Sequence, residues 1–98
     1  MQRDQVIATL KAHEAALRAR GARHAALFGS VARGEASPAS DIDILIELQP
    51  EAPVGVWEYV AITRFLGDLF PLRVDVANRA CLKPHVRPVA ERDVVYAF

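Results

Sequence analysis

The stretch that decides the fold is Leu27–Leu48, LFGSVARGEASPASDIDILIEL. Just before and into it, HAALF (24–28) is a short apolar run that ends at Gly29 and reads as a strand. SVARG (30–34) is too short for a full helix and predicts one or two helical turns. EASPAS (35–40), with Pro38 and two serines, reads as a loop. DIDILIEL (41–48) is the clearest strand of the chain: Ile42, Ile44, Ile46 and Leu48 alternate with Asp41, Asp43, Leu45 and Glu47.

That alternation places Asp41 and Asp43 on successive same-side positions, with carboxylates roughly 6–7 Å apart by strand rise. They share their face with Leu45, so this is not a simple solvent face. Paired carboxylates repel unless a cation sits between them. Hard oxygen donors of this kind suit Mg²⁺, which commonly takes one or two protein carboxylates together with phosphate oxygens. The Gly29-Ser30 pair supplies a complementary half. Gly29 lets the backbone approach a ligand closely. The N–H groups at the start of the turn, with the Ser30 hydroxyl, form an anion site. Arg33, one turn on, can add charge-assisted bonds to phosphate, and Gly34 releases the turn into the loop. A phosphate-binding turn beside metal-binding carboxylates predicts a site for a nucleoside triphosphate.

Outward from this stretch, residues 4–20 predict an amphipathic helix. Asp4 is its expected N-cap, Val6, Leu10, His13 and Leu17 form its stripe, and Gly21 lies beyond its end. QPEAPVG (49–55) breaks the chain with two prolines. VWEYVAITRFLGDLF (56–70) predicts a well-buried helix, with Trp57, Val60, Ala61, Phe65 and Leu69 on one stripe that Ile62, Leu66 and Phe70 broaden. LRVDVA (72–77) predicts a third strand. Pro84 is expected to open a last helix, with Val86, Val89, Ala90, Val94 and Ala97 inward. Helices interleaved with three strands predict one α/β sheet layered with helices.

Composition narrows the classes. The chain has 98 residues, 52% hydrophobic and 24% charged, which is ordinary for one globular domain. Lys+Arg and Asp+Glu balance at 12 each, which argues against a general nucleic-acid binder. The single cysteine, Cys81, allows no disulfide within the chain and no cysteine-based metal site. No apolar run suits a signal peptide or approaches the ~20 residues of a membrane span, so a cytoplasmic location is expected. His13, His24 and His85 show no ligand spacing and are read as surface or satisfied histidines.

GSVARGEASPASDID resembles the signature of the polymerase-β-type nucleotidyltransferases: Gly-Ser, a spacer, then Asp-x-Asp. Gly-Ser-x-Ala-Arg-Gly followed by Ser-Asp-Ile-Asp resembles most closely the minimal nucleotidyltransferases of prokaryotes, often the antitoxin half of a pair with a HEPN-domain toxin. The resemblance covers nearly the whole chain. It implies one domain over 1–98 with the polymerase-β-like fold, a mixed three-stranded sheet packed with about four helices. It also implies a third carboxylate on a later strand, and Asp75 in RVDVA is the candidate. Asp41, Asp43 and Asp75 are then the catalytic and metal-binding residues, with two Mg²⁺ ions expected. Gly29, Ser30, Arg33 and Ser40 are the nucleotide-binding candidates, and ATP is the substrate. The LKPHVRPVAERDVVYAF tail resembles the family's closing helix. Val31 stands where many members carry a larger or polar residue, and it touches no assigned role. Larger relatives carry an acceptor-binding domain for which these 98 residues leave no room, so another molecule is expected to present the acceptor. By resemblance this is a tyrosine hydroxyl of a HEPN ribonuclease toxin, held in a hetero-oligomer and modified with AMP. Neutralisation by non-catalytic occlusion, or transfer to a small molecule, are the alternatives.

Each candidate has a plainer reading. Asp41 can cap a loop, and Asp43 can be a solvated strand residue. Asp75 can pair with Arg73, and Arg33 with Glu35. Ser40 reads as a loop or cap residue sooner than as a catalytic one. Trp57 is expected in the core, with lining of the base pocket as the other option, and Cys81 is expected as a small buried hydrophobe.

Overall fold

A computed structural model describes residues 1–35, 41–82, 84–85, 88 and 92–98. The elements run α1 (Arg3–Ala12), α2 (Glu14–Ala19), β1 (Ala22–Phe28), α3 (Gly29–Ala32), β2 (Ile42–Leu48), α4 (Val56–Asp68), β3 (Val74–Asn78), a 3₁₀ turn at Arg79–Cys81, and β4 (Val95–Tyr96). The strands form one mixed sheet in the order β3-β2-β1-β4. β1 pairs antiparallel with β2 and with β4, while β2 and β3 run parallel. A parallel pair needs a crossover connection, and α4 provides it between β2 and β3.

The isoleucine row of β2 builds the core. Ile42, Ile44 and Ile46 are fully buried, joined by Ala25 and Leu27 of β1. Val6, Leu10 and Leu17 from α1 and α2, and Ile62 and Leu66 from α4, complete the same cluster. Burying each large aliphatic side chain stabilises the fold by about 1.5–3 kcal/mol, so this face of β2 is fixed in register. A slip of one residue would place the isoleucines where the aspartates are. No polar or charged side chain is buried among the described residues.

Several elements differ from the expectations. The helix expected over 4–20 is two helices that break at His13. Its ring Nδ1 lies 2.8 Å from the Thr9 carbonyl oxygen, and its backbone N–H turns to Leu10 O instead. The N-cap is Gln2 and not Asp4, which sits in the first turn; the Gln2 N–H donates to Oε1 of Gln5. In α4 the buried stripe is Ile62 and Leu66, continued by Phe70, with Phe65 and Leu69 half-buried. Trp57, expected in the core, is 82% exposed; Val60 and Ala61 are exposed too. At ~100° per residue, Trp57 and Val60 lie about 140–160° around the helix from Ile62, so the sheet cannot bury both arcs. Cys81, expected buried, is exposed.

The end of the chain also departs from the pattern. Val86, Val89 and Ala90 lie outside the described residues. After Asp93 the chain is extended: Tyr96 and Val95 pair with Ala26 and Leu27, and the N–H of Ala97 donates to Ala25 O. The sheet therefore gains a fourth strand, which two residues are too few to announce by periodicity.

Candidate functional site

The site forms where β1 ends, the short turn α3 begins and the first residues of β2 and β3 lie side by side. Phe28 is the Cα partner of Asp43, and Asp43 is the partner of Asp75. β2 and β3 are parallel and in register here, so the two carboxylates project from neighbouring strands about 4.8 Å apart. Asp41 precedes β2 and is exposed.

Gly29 is what allows the turn to meet this pair. Its φ is +73°, a conformation that disfavours side chains. A Cβ added there would fall on Oδ2 of Asp43, 3.2 Å from the Asp43 Cγ and 3.4 Å from its Cβ. The Asp43 carboxylate thus occupies the place a side chain at position 29 would need. Asp43 and the Gly-Ser turn, 14 positions apart in the chain, are in van der Waals contact through one glycine. Ser30 follows, half-buried, and its carbonyl accepts from the Glu35 N–H at 2.9 Å. The first N–H groups of α3 have no acceptor within the helix, as at every helix start.

The electrostatics fit a cluster short of positive charge. The Asp43 carboxyl is pushed above its ordinary value, first by burial, then by the charge of Asp75 and that of Asp41; Arg33 acts in the opposite direction. Asp75 makes an ion pair with Arg73, Nε to Oδ1 at 3.5 Å, both side chains well exposed. Arg33 is held between two carboxylates: its Nε donates to Glu35 at 3.0 Å and its Nη1 to Asp93 at 3.2 Å.

The structure thus brings together Gly29, Ser30, Asp43 and Asp75. Arg33 stands one turn away, engaged with acidic partners. Ser40 lies outside the described residues. Glu35 and Asp93 have no counterpart in the sequence reading as partners of Arg33 together. Glu35 was visible from its closeness in the chain, whereas Asp93 is 60 positions away and no spacing rule points to it. Among the described residues, no three acidic, histidine or cysteine side chains converge tightly enough to hold a metal ion on their own. The donors present are all carboxylate oxygens. Such a set suits a hard divalent cation that draws its remaining ligands from water or phosphate. Among the described residues no helix is long and apolar enough to cross a membrane.

The nucleotidyltransferase domain family matches residues 10–97 of the chain. The protein adenylyltransferase MntA of Thermococcus cleftensis is 36% identical over 94 residues, covering 95% of this chain and 93% of that protein. A solved structure assigned to a minimal nucleotidyltransferase has a TM-score of 0.79 at 28% identity, over 97% of this chain and 95% of that one. A chain from the crystal structure of a toxin-antitoxin with AMP-PNP shares the fold. Its TM-score is 0.70 at 16% identity, over 100% of this chain and 73% of that one.

Proposed function

The chain belongs to the nucleotidyltransferase domain family and is a nucleotidyltransferase, and on that premise we propose that it is a Mg²⁺-dependent protein adenylyltransferase acting as an antitoxin. In this reading the domain spans 1–98, and AMP passes from ATP to a tyrosine hydroxyl of a HEPN-type ribonuclease toxin bound to it. The observation that carries the reading is the seat of the Asp43 carboxylate against Gly29. It joins the Gly29-Ser30 turn to Asp43, whose strand partner is Asp75, and this supports reading the turn as the triphosphate seat. The 36% identity to a protein adenylyltransferase supports a protein as acceptor. The toxin-antitoxin structure of the same fold supports a toxin as that protein and an adenine nucleotide as the donor.

Each residue has a role that its position allows. The backbone N–H groups after Gly29 and the Ser30 hydroxyl bind the β- and γ-phosphate oxygens. Arg33 adds positive charge beside them. Asp41, Asp43 and Asp75 would hold Mg²⁺. Burial raises the Asp43 carboxyl first, and the charges of Asp75 and Asp41 add to it while Arg33 opposes them; a bound divalent cation would offset that repulsion. Bound there, the metal would supply charge neutralisation for the triphosphate and the departing pyrophosphate. Asp75, on the neighbouring strand with its side chain 47% exposed, accepts the proton of the attacking hydroxyl. The oxygen–phosphorus bond to the tyrosine forms as the bond to pyrophosphate breaks.

The test is the intact mass of the partner toxin after incubation with ATP, Mg²⁺ and this protein. A gain of one adenylyl group with wild type, and none with Asp41→Asn plus Asp43→Asn, supports transfer. No gain with wild type, while the double variant still neutralises the toxin, replaces transfer with occlusion.

A further inference from the structure

Arg33 stands beside the nucleotide turn, and both of its anchors come from outside it. Its Nε is bound by Glu35 and its Nη1 by Asp93. Asp93 lies two residues before β4, which pairs with β1. A guanidinium has five N–H donors in one rigid plane. The bonds to Glu35 and Asp93 use one donor at Nε and one at Nη1, which fixes the plane and leaves the Nη2 side for another acceptor. Arg33 is 40% exposed, and exposed ion pairs of this kind contribute little to stability. The end of the chain is already held by β4 pairing and by the Ala97 N–H bond to Ala25, so the fold has no need of Asp93 to fasten it. What the pair does supply is orientation. A long side chain that is ordered in advance loses less conformational freedom when a ligand arrives.

We propose that Asp93 is a positioning residue: it holds the Arg33 guanidinium in a fixed orientation beside the Gly29-Ser30 turn so that its remaining donors meet the phosphates of a nucleoside triphosphate. The inference rests on the reading of the turn as a phosphate site. It adds a residue from the far end of the chain to that site. It also gives β4 a functional consequence, because the pairing of Val95 and Tyr96 with β1 sets where Asp93 can reach.

The experiment is calorimetric titration of the full chain with ATP and Mg²⁺, and separately with AMP, for wild type, Asp93→Ala, Asp93→Glu, Arg33→Ala and the Arg33→Ala, Asp93→Ala double variant. Asp93→Ala is expected to weaken ATP about fivefold, the order of effect of one charge-assisted contact at an exposed site. AMP affinity should stay within about twofold, because the affected contacts are to phosphates that AMP lacks. Asp93→Glu keeps the carboxylate and should recover most of the loss. In the Arg33→Ala background, Asp93→Ala should add nothing. A general loosening of structure would weaken ATP and AMP alike, and would overturn the proposal. So would ATP binding unchanged by Asp93→Ala, or an Asp93→Ala effect that persists without Arg33. If Asp93→Ala does not fold, Asp93→Asn carries the same comparison. Wild type that binds ATP no better than AMP overturns the phosphate-site reading and this inference with it. Wild type that binds ATP normally while Asp93→Ala equals it overturns this inference alone.

Discussion

Asp43 is half-buried and faces two other carboxylates, and this sets opposing demands at one residue. Its carboxyl is raised in the folded chain, so the folded state holds the proton more tightly than the unfolded state does. Stability therefore falls as pH rises from the unfolded value, ~3.9, through the folded one, and the loss persists above that. Asp43→Asn removes the charge, so it should melt higher than wild type at pH 7.5 in metal-free buffer. The gain is about 1–3 °C once solvent screening of a half-buried group is allowed for. The two proteins should converge near pH 4. Thermal melts across pH check this, and a lower melting point for Asp43→Asn at pH 7.5 would contradict it. Gly29 shows the complementary dependence. Alanine there meets a positive φ and the Asp43 carboxylate at once. Gly29→Ala should cost about 1–3 kcal/mol in urea unfolding and should also weaken ATP, because Asp43 must move. Of these two residues, Asp43 was marked in the sequence by Asp-x-Asp in combination with the upstream Gly-Ser pair. That Gly29 is the wall of its seat was not, because contact between a turn and a strand residue 14 positions later is a matter of packing.

At the scale of elements, α4 separates what periodicity can say from what it cannot. Its sequence is apolar on nearly every side, so the helix itself is evident while its inward face is ambiguous. The sheet selects the arc of Ile62 and Leu66, and Trp57 is left in solvent. Ile62→Ala should therefore destabilise by about 2–5 kcal/mol, whereas Trp57→Ala should stay within about 0.5 kcal/mol. Equilibrium urea unfolding of the two variants distinguishes the arcs, and equal losses would mean that Trp57 is packed after all. β2 behaves in the opposite way. Strict alternation leaves one assignment, isoleucines in and aspartates out, and the structure has it. The break at His13 was hidden because it arises from a ring nitrogen bonding the Thr9 carbonyl, a local competition that a helical stripe of apolar residues does not register.

For the whole molecule, the proposed activity requires that nucleotide and metal bind as one unit. ATP with Mg²⁺ at about 100 times its Kd should stabilise the fold by about 2.7 kcal/mol, seen as a rise in melting temperature. A chelator should remove most of that rise, since the triphosphate would then face the Asp41, Asp43 and Asp75 carboxylates without neutralisation. An ATP-induced rise that is the same with and without chelator would separate nucleotide binding from the carboxylates. The sequence by itself determined the α/β class, the strand that carries Asp43, the Gly29-Ser30 turn before it and the resemblance to minimal nucleotidyltransferases; Asp41, expected as the first residue of that strand, lies just ahead of it. These are local patterns, written in spacings of a few residues that backbone geometry makes obligatory. The tertiary structure alone decided that Asp75 stands opposite Asp43, that Asp43 fills the space beside Gly29, that Asp93 holds Arg33, and that Val95 and Tyr96 close the sheet as β4. Each of these joins residues 14 to 70 positions apart, and such pairings are set by how the apolar faces pack, which no short-range period encodes.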